Sequence, residues 1–269
     1  MGAGIAEVCA REGKDVIVVE STQEAAEAGA SRIEASLARA EKRGKIESAA
    51  PIRERIRVVH DLEALADRDI VVEAIVEDEA AKTAVFRELD RIVTNPEAIL
   101  ASNTSSIPIM KLGVATSRPT HVVGIHFFNP VPVLNLVELV PSLLTSPETV
   151  ERARSFAQDD LGKHPIESQD RAGFIVNALL VPFILSSIRM LESGFATRDD
   201  IDEGLVRGAA HPQGPLALAD LIGLDTTMAI AESLYEEFKE PLYSPPPLLQ
   251  RMVQAGLLGR KSGRGFYTY

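Results

Sequence analysis

The feature that most constrains the fold is a regular alternation, over the first 168 residues, of short apolar runs and segments with helical periodicity. The apolar runs are rich in Val and Ile and lie at residues 15–19, 56–59, 69–74, 98–101 and 122–125. The helix-period segments lie at about residues 2–12, 22–44, 61–66, 78–93 and 147–161. Uniformly apolar strands suit a mostly parallel sheet covered by helices on both faces. The alternation therefore predicts an α/β fold with a doubly wound, Rossmann-type sheet.

One connection in this half is too short for a parallel crossover. The apolar run at residues 134–140 follows the run at residues 122–125 through a proline-containing turn, Asn129–Pro132. Parallel strands need a connection of about a dozen residues or more, whereas antiparallel strands can be joined by a tight turn. We therefore expect the run at 134–140 to return antiparallel to the strand before it.

The pattern changes after Gly173 and becomes helical. Helix-period segments cover residues 174–193, 197–208, 215–239 and 247–255, and loops rich in Gly and Pro separate them. We predict a Rossmann-type domain over residues 1–170 and an all-α C-terminal domain over residues 171–269.

The charge and cysteine content narrow the range of partners. A net charge of −11 argues against nucleic acid, because phosphate binding needs a basic face. No apolar run approaches the roughly 18–20 residues that cross a bilayer, so no membrane partner is expected. The single cysteine, Cys9, excludes an intrachain disulfide and suits the reducing cytoplasm. One basic cluster, at Arg39, Lys42, Arg43 and Lys45, is either a local anion site or a solvated helix end.

The chain begins with the end of a possible dinucleotide-binding fingerprint. Met1-Gly2-Ala3-Gly4 reads as the last part of a G-x-G-x-x-G loop whose first strand and first two glycines are missing. Gly2 would be the third glycine, where close packing of helix on strand excludes a side chain. We expect the start to be internal to the reading frame. Glu20 closes the next strand, where a carboxylate would bind ribose hydroxyls and repel a 2′-phosphate, although it could equally be a helix N-terminal acid.

A histidine and a glutamate lie on the two runs expected to be antiparallel. His126 and Glu138 are about equally distant from Pro132, so a hairpin would bring them face to face. Histidine titrates near neutral pH and can take or give a proton, and a carboxylate on its other nitrogen would orient the ring. Each residue also has a structural interpretation, as a strand-end histidine and as a buried ion-pair partner. The other four histidines lack acidic or cysteine partners at ligand spacing, so we predict no metal site.

Five peptides, in order along the chain, resemble the L-3-hydroxyacyl-CoA dehydrogenase family. They begin at Ala101 (ASNTSS), Gly124 (GIHFFNPVP), Leu136 (LVE), Gly173 (GFIVN) and Gly259 (GRKSGRGFY). The similarity covers essentially the whole chain, and the spacing is close to that of the short, single-function 3-hydroxybutyryl-CoA dehydrogenases.

The resemblance implies a reaction and a set of site residues. The reaction is the reversible conversion of an L-3-hydroxyacyl-CoA to the 3-oxoacyl-CoA with NAD, with His126 as acid and base oriented by Glu138. The substrate oxygen would be polarised by Ser105 and Asn177. The implied cofactor contacts are Glu77, Lys82, Ser105, Asn129 and Lys261, in addition to Gly2 and Glu20 of the fingerprint. The implied CoA contacts are Ser36, Lys42 and Arg43.

The resemblance also implies a homodimer formed through the helical domain. Two alternatives stay open at this point. One is a related NAD-dependent dehydrogenase of a free hydroxy acid. The other is a non-catalytic dimeric paralogue that is crippled by loss of the first strand.

Overall fold

The computed structural model describes all 269 residues, which form two compact units, Met1–Asp170 and Arg171–Tyr269. The strands of the first unit are β1 (Val16–Val19), β2 (Ile56–Val59), β3 (Ile70–Glu73), β4 (Ile99–Ser102), β5 (Val122–Phe127), β6 (Leu136–Pro141) and β7 (His164–Glu167). Its α-helices are α1 (Gly2–Arg11), α2 (Gln23–Lys42), α3 (Ala50–Glu54), α4 (Glu79–Ile92), α5 (Ile109–Gly113) and α6 (Pro147–Ser155).

The strands of the first unit form two sheets, one of β1 and β2 and one in the order β3-β4-β5-β6-β7. All neighbours are parallel except β5 and β6, which are antiparallel. The antiparallel return predicted from the short connection is therefore confirmed. Strand β7 was not predicted, because its sequence, His164-Pro165-Ile166-Glu167, has polar residues at both ends and a proline between them.

Helices cover these sheets with apolar side chains. Helix α1 contributes Ile5 and Val8 to a core with the buried residues of β4, β5 and β6, and its Ala6 and Ala10 pack in a second core with α2. Buried apolar residues recur four positions apart on helix α2, at Ile33 and Leu37. Burying one such side chain stabilises the fold by roughly 1.5–3 kcal/mol, so the apolar stripe of α2 fixes this helix on its sheet.

Close packing around β5 requires one glycine. A Cβ on Gly124 would lie 2.8 Å from the Cβ of Val140 on β6 and 3.0 Å from the Cδ1 of Ile109 on α5. Real Cβ atoms do not approach this closely, so any side chain here would push β6 or α5 away. Gly124 thus allows the strand that carries His126 to pack tightly between its neighbours.

The second unit is helical and consists of α7 (Val176–Glu192), α8 (Arg198–Ala209), α9 (Pro215–Ile222), α10 (Leu224–Phe238) and α11 (Pro247–Gln254). The prediction of a single helix over residues 215–239 was wrong, because this segment is divided into two helices at Gly223. The φ of Gly223 is 104°, which lies outside the helical region and is favourable only for glycine. The predicted class, a Rossmann-type α/β unit followed by helices, is confirmed. None of the helices combines the length and apolar character needed to span a membrane.

Candidate active site

His126 and Glu138 face each other across β5 and β6. They are register partners of the antiparallel pair, and His126 Nδ1 lies 2.8 Å from Glu138 Oε2. Both residues are buried, with Glu138 0% exposed. A carboxylate is costly to bury unless it is paired and hydrogen bonded. The geometry therefore places a charged acceptor on one nitrogen of a histidine that cannot rotate freely.

Two further contacts fix the hairpin that carries this pair. The backbone N–H of Phe127 donates to Asn103 Oδ1 at 2.9 Å, which ties β5 to the loop after β4. On the other side, Lys163 Nζ donates to the carbonyl oxygens of Val131 and Leu134, at 2.7 and 2.9 Å. Burial of Lys163, together with the nearby charge of Arg11, lowers the pKa of its ammonium group. The connection between β5 and β6 is thus held by two hydrogen bonds from one buried side chain, that of Lys163.

A second polar cluster lies at the carboxyl ends of β3 and β4, and Glu77 is at its centre. Glu77 Oε1 accepts hydrogen bonds from Thr104 Oγ1 at 2.5 Å and from the backbone N–H groups of Ser105 and Ser106 at 2.9 and 3.1 Å. The hydroxyls of both serines also donate to it, at 3.3 and 3.1 Å. Burial raises the pKa of Glu77, but the Thr104 hydrogen bond and the charge of Lys82 outweigh it and lower the pKa. Glu77 therefore stays ionised and holds the loop that carries Ser105.

Beneath Glu77 lies a fully buried ion pair. Lys82 on α4 and Glu73 at the end of β3 have side chains that are 1% and 0% exposed, and Lys82 Nζ lies 2.6 Å from Glu73 Oε1. The same ammonium lies 3.4 Å from Glu77 Oε2. Glu73 was not among the predicted site residues. The signal was present, since Glu73 is a carboxylate within an apolar strand and must find a partner, as Glu138 does.

The other predicted residues of the first unit are more dispersed. Glu20 follows β1, is 31% exposed, and pairs with Arg32 at 3.3 Å. Asn129 is exposed on the connection between β5 and β6. Ser36 is half-buried on α2, and Lys42 and Arg43 are exposed where that helix ends.

The packing reason given for Gly2 was wrong. A Cβ on Gly2 would lie 3.8 Å from Ala74 Cβ, which is an ordinary contact. The tight approach occurs at Gly4, where a Cβ would lie 3.1 Å from Val131 Cβ. Helix α1 is thus most closely packed one half-turn later than expected.

Two predicted site residues belong to the second unit. Asn177 lies in the first turn of α7. Lys261 lies in the C-terminal segment, where its Nζ is 2.5 Å from Asp225 Oδ1.

The first unit offers groups that fit a dinucleotide. In doubly wound folds such ligands bind at the carboxyl ends of the strands. Here Glu20 follows β1, Glu77 follows β3 and Ser105 follows β4, and the Glu20 and Glu77 side chains are 31% and 35% exposed. Carboxylates accept hydrogen bonds from ribose hydroxyls, and serine hydroxyls can donate or accept. The residues present therefore suit NAD.

Comparison with known proteins places the chain in a family. Residues 1–171 match the NAD binding domain of 3-hydroxyacyl-CoA dehydrogenase, and residues 173–269 match its C-terminal domain. A 3-hydroxybutyryl-CoA dehydrogenase of Mycobacterium tuberculosis is 57% identical over 275 residues, which cover 100% of this chain and 95% of that protein.

Solved structures show the same relationship. The crystal structure of M. tuberculosis FadB2 superposes with a TM-score of 0.99 at 56% identity, covering 100% of this chain and 95% of that one. The (S)-3-hydroxybutyryl-CoA dehydrogenase PaaH1 of Ralstonia eutropha superposes with a TM-score of 0.93 at 44% identity, with the same coverage. The chain belongs to the 3-hydroxyacyl-CoA dehydrogenase family. The predicted family is confirmed, and so is the class of protein, an oxidoreductase that uses NAD.

Proposed function

We propose that this chain interconverts L-3-hydroxybutyryl-CoA and acetoacetyl-CoA with NAD, and that His126 and Glu138 perform the proton transfer. The observation that carries the proposal is the buried contact of 2.8 Å between His126 Nδ1 and Glu138 Oε2. The names of the relatives from M. tuberculosis and R. eutropha support the choice of a four-carbon acyl group.

In this proposal the two nitrogens of His126 have different tasks. Glu138 accepts a hydrogen bond from Nδ1–H, which leaves Nε2 to take the hydroxyl proton of the substrate during oxidation and to return it during reduction. The negative charge of Glu138 stabilises the imidazolium that forms. NAD, when bound, would supply the acceptor for the hydride that leaves the carbon bearing this hydroxyl, and NADH would supply the hydride for the reverse reaction. Ser105 and Asn177 would hydrogen bond the oxygen that changes between hydroxyl and carbonyl.

We assign the cofactor and the CoA group to different parts of the chain. Gly2, Glu20, Glu77, Ser105, Asn129 and Lys261 are proposed as the residues that hold NAD. Lys82 is proposed to support the cofactor site from behind Glu77, since its side chain is 1% exposed. Glu20 would favour NAD over NADP, since its carboxylate would repel a 2′-phosphate. Ser36, Lys42 and Arg43 are proposed to contact CoA, because α2 ends there in exposed cations that can attract phosphate.

We further propose a homodimer formed through the helical unit, working in the cytoplasm. Large apolar side chains on that unit support the dimer, since Leu179 and Phe195 are 73% and 80% exposed. The free, buried thiol of Cys9 suits a reducing compartment.

The proposed reaction is tested by following NADH consumption with acetoacetyl-CoA and, in parallel, with free acetoacetate. We expect reduction of the thioester, and a rate at least ~100-fold lower with the free acid, because the acid lacks every contact that CoA provides. Equal rates would identify a dehydrogenase of free hydroxy acids, and no NADH consumption with either compound would contradict the proposed activity.

A further inference from the structure

Glu73 is a buried carboxylate that the proposed mechanism does not use. It lies at the end of β3 and receives hydrogen bonds from three different segments of the first unit. Its Oε1 accepts from Lys82 Nζ of α4 and from the backbone N–H of Ile75, each at 2.6 Å. Its Oε2 accepts from Ser102 Oγ of β4, also at 2.6 Å. Glu73 thus joins β3, β4 and α4 at the edge of the sheet where Ser105 is presented.

Of the three neighbouring charged groups, Glu73, Lys82 and Glu77, only Glu77 is accessible to solvent. The side chains of Glu73 and Lys82 are 0% and 1% exposed, whereas that of Glu77 is 35% exposed. A ligand approaching from solvent can therefore reach the Glu77 carboxylate, but neither of the other two groups. Lys82 lies between the two carboxylates, nearer to Glu73 (2.6 Å) than to Glu77 (3.4 Å).

The two oxygens of Glu77 have different partners. Oε1 holds the loop from Thr104 to Ser106 through hydroxyl and backbone donors, and Oε2 faces Lys82. Without the charge of Glu73, the Lys82 ammonium would be attracted to Glu77 alone. A closer Lys82–Glu77 contact would pull Glu77 away from the loop, because a charge-assisted hydrogen bond is stronger than those from neutral donors.

We propose that Glu73 is a positioning residue of the cofactor site, which holds Lys82 away from Glu77 and so keeps Glu77 on the Ser105 loop. Cofactor contact then belongs to Glu77, and Lys82 acts through it. A second link supports this role, because Ser102 Oγ donates to Glu73 and accepts from the N–H of Thr104 at 3.1 Å. This inference rests on the proposed function in placing the cofactor beside Glu77 and Ser105.

The test separates positioning from stability by comparing two variants. Glu73→Gln keeps the side-chain shape but leaves Lys82 buried with one carboxylate, so we expect a lower melting temperature. Glu73→Gln/Lys82→Met removes both buried charges, and replacing a buried ion pair by uncharged groups is often neutral for stability. The double variant should therefore melt near the parent temperature. If positioning matters, Glu73→Gln binds NADH about tenfold more weakly in calorimetric titration below its melting temperature, and its KM for NADH rises by the same factor while the KM for acetoacetyl-CoA stays constant. The double variant has no ammonium to draw Glu77 from the loop, so its NADH affinity should return to near the parent value.

The matched control is Glu79→Gln, which removes a surface carboxylate from α4, the helix that carries Lys82. Glu79 pairs with Lys111 at the surface, where both side chains are 52% exposed, so NADH affinity should not change. Parental NADH affinity in Glu73→Gln would overturn the proposal and leave the pair with a purely structural role, and an affinity that stays low in the double variant would overturn it as well. The titration contains no acyl substrate. A failure of the proposed function would thus appear in the turnover of the parent chain, whereas a failure of this inference would appear in the NADH affinities.

Discussion

The pair of His126 and Glu138 illustrates how an apolar strand constrains its one charged residue. Glu138 lies among Val137, Leu139 and Val140, all fully buried, so its carboxylate has no access to water. A protonated His126, 2.8 Å away, provides a positive charge with which it can pair. The same residue therefore orients the ring in its neutral form and stabilises the ring once it has taken a proton.

We expect His126→Ala to lower kcat by roughly 10²–10⁴-fold, the range usually contributed by a positioned acid or base. NADH affinity should remain close to that of the parent, because His126 belongs to the proton-transfer pair and the cofactor residues lie on other segments. Steady-state kinetics with acetoacetyl-CoA and calorimetric titration of NADH would measure the two quantities.

His164→Gln is a suitable control for this variant. His164 is also a strand histidine, but it lies exposed on β7. Its replacement should leave turnover unchanged. A kcat for His126→Ala within a few fold of the parent would exclude His126 from proton transfer.

At the scale of elements, helix α2 ends beside four cations that have a single carboxylate, Glu41, among them. Farther from this end, Arg32 of α2 pairs with Glu20, and Glu34 of α2 pairs with Arg53. Arg39, Lys42, Arg43 and Lys45 are exposed and form no ion pair, although the chain carries a net charge of −11. Such a cluster in an acidic protein produces a local field that attracts anions.

Replacing Arg39, Lys42 and Arg43 together by Gln should raise the KM for acetoacetyl-CoA by about tenfold or more. Loss of even one hydrogen bond between a charged group and phosphate removes roughly 1.5–3 kcal/mol. The salt dependence of this KM should weaken as well, because salt acts by screening the attraction between these cations and the phosphates of CoA. NADH affinity should change little.

The control for the charge change is a triple variant of Arg91, Arg207 and Lys239 to Gln. These side chains are 60%, 80% and 59% exposed. Arg91 and Arg207 lie on α4 and α8, and Lys239 directly follows α10. This variant loses the same number of positive charges, three, but leaves α2 unchanged. An equal rise in KM in both triple variants would show that only the overall charge matters.

The sequence predicted best those helices and strands that are long or strongly apolar. The five early strands and helices α1, α2, α4 and α7 were found close to their predicted positions. Helices α3 and α5 were missed because five residues are too few to show a helical period. The split between α9 and α10 depends on the backbone angle of one glycine, which composition does not reveal.

The contacts of the candidate site can likewise be divided into those that the sequence predicts and those that it does not. The approach of His126 to Glu138 could be predicted because both are equally distant from one turn. The cluster around Glu73 could not, because its partners Lys82 and Ser102 lie 9 and 29 residues away on different elements. The sheet order, which places β3 beside β4, brings Ser102 to Glu73, and the packing of α4 brings Lys82 to it. Contacts of this kind follow from tertiary packing rather than from local pattern.

At the scale of the whole molecule, the helical unit has large apolar side chains that are exposed to solvent rather than packed in its core. Leu179 and Met190 project from α7 and are 73% and 41% exposed, and Phe195 in the following loop is 80% exposed. A groove of about 300 Å³ lies beside them, lined by residues of α7 and α8 including Phe183, Ile201 and Leu205. Exposed apolar patches on soluble proteins commonly mark contacts with other protein chains.

We expect the parent chain to sediment as a dimer, and Leu179→Glu/Phe195→Glu to sediment as a monomer at the same concentration. Burying one large apolar side chain contributes roughly 1.5–3 kcal/mol, and two copies of each residue would be lost from a symmetric interface. A carboxylate placed there would also be desolvated without a partner. Leu143→Glu is the matched control, because Leu143 is 95% exposed on the first unit and its replacement should leave the dimer intact. Analytical ultracentrifugation of the three proteins distinguishes the outcomes. A monomeric parent, or a dimer that dissociates with Leu143→Glu instead, would show that the helical unit does not form the interface.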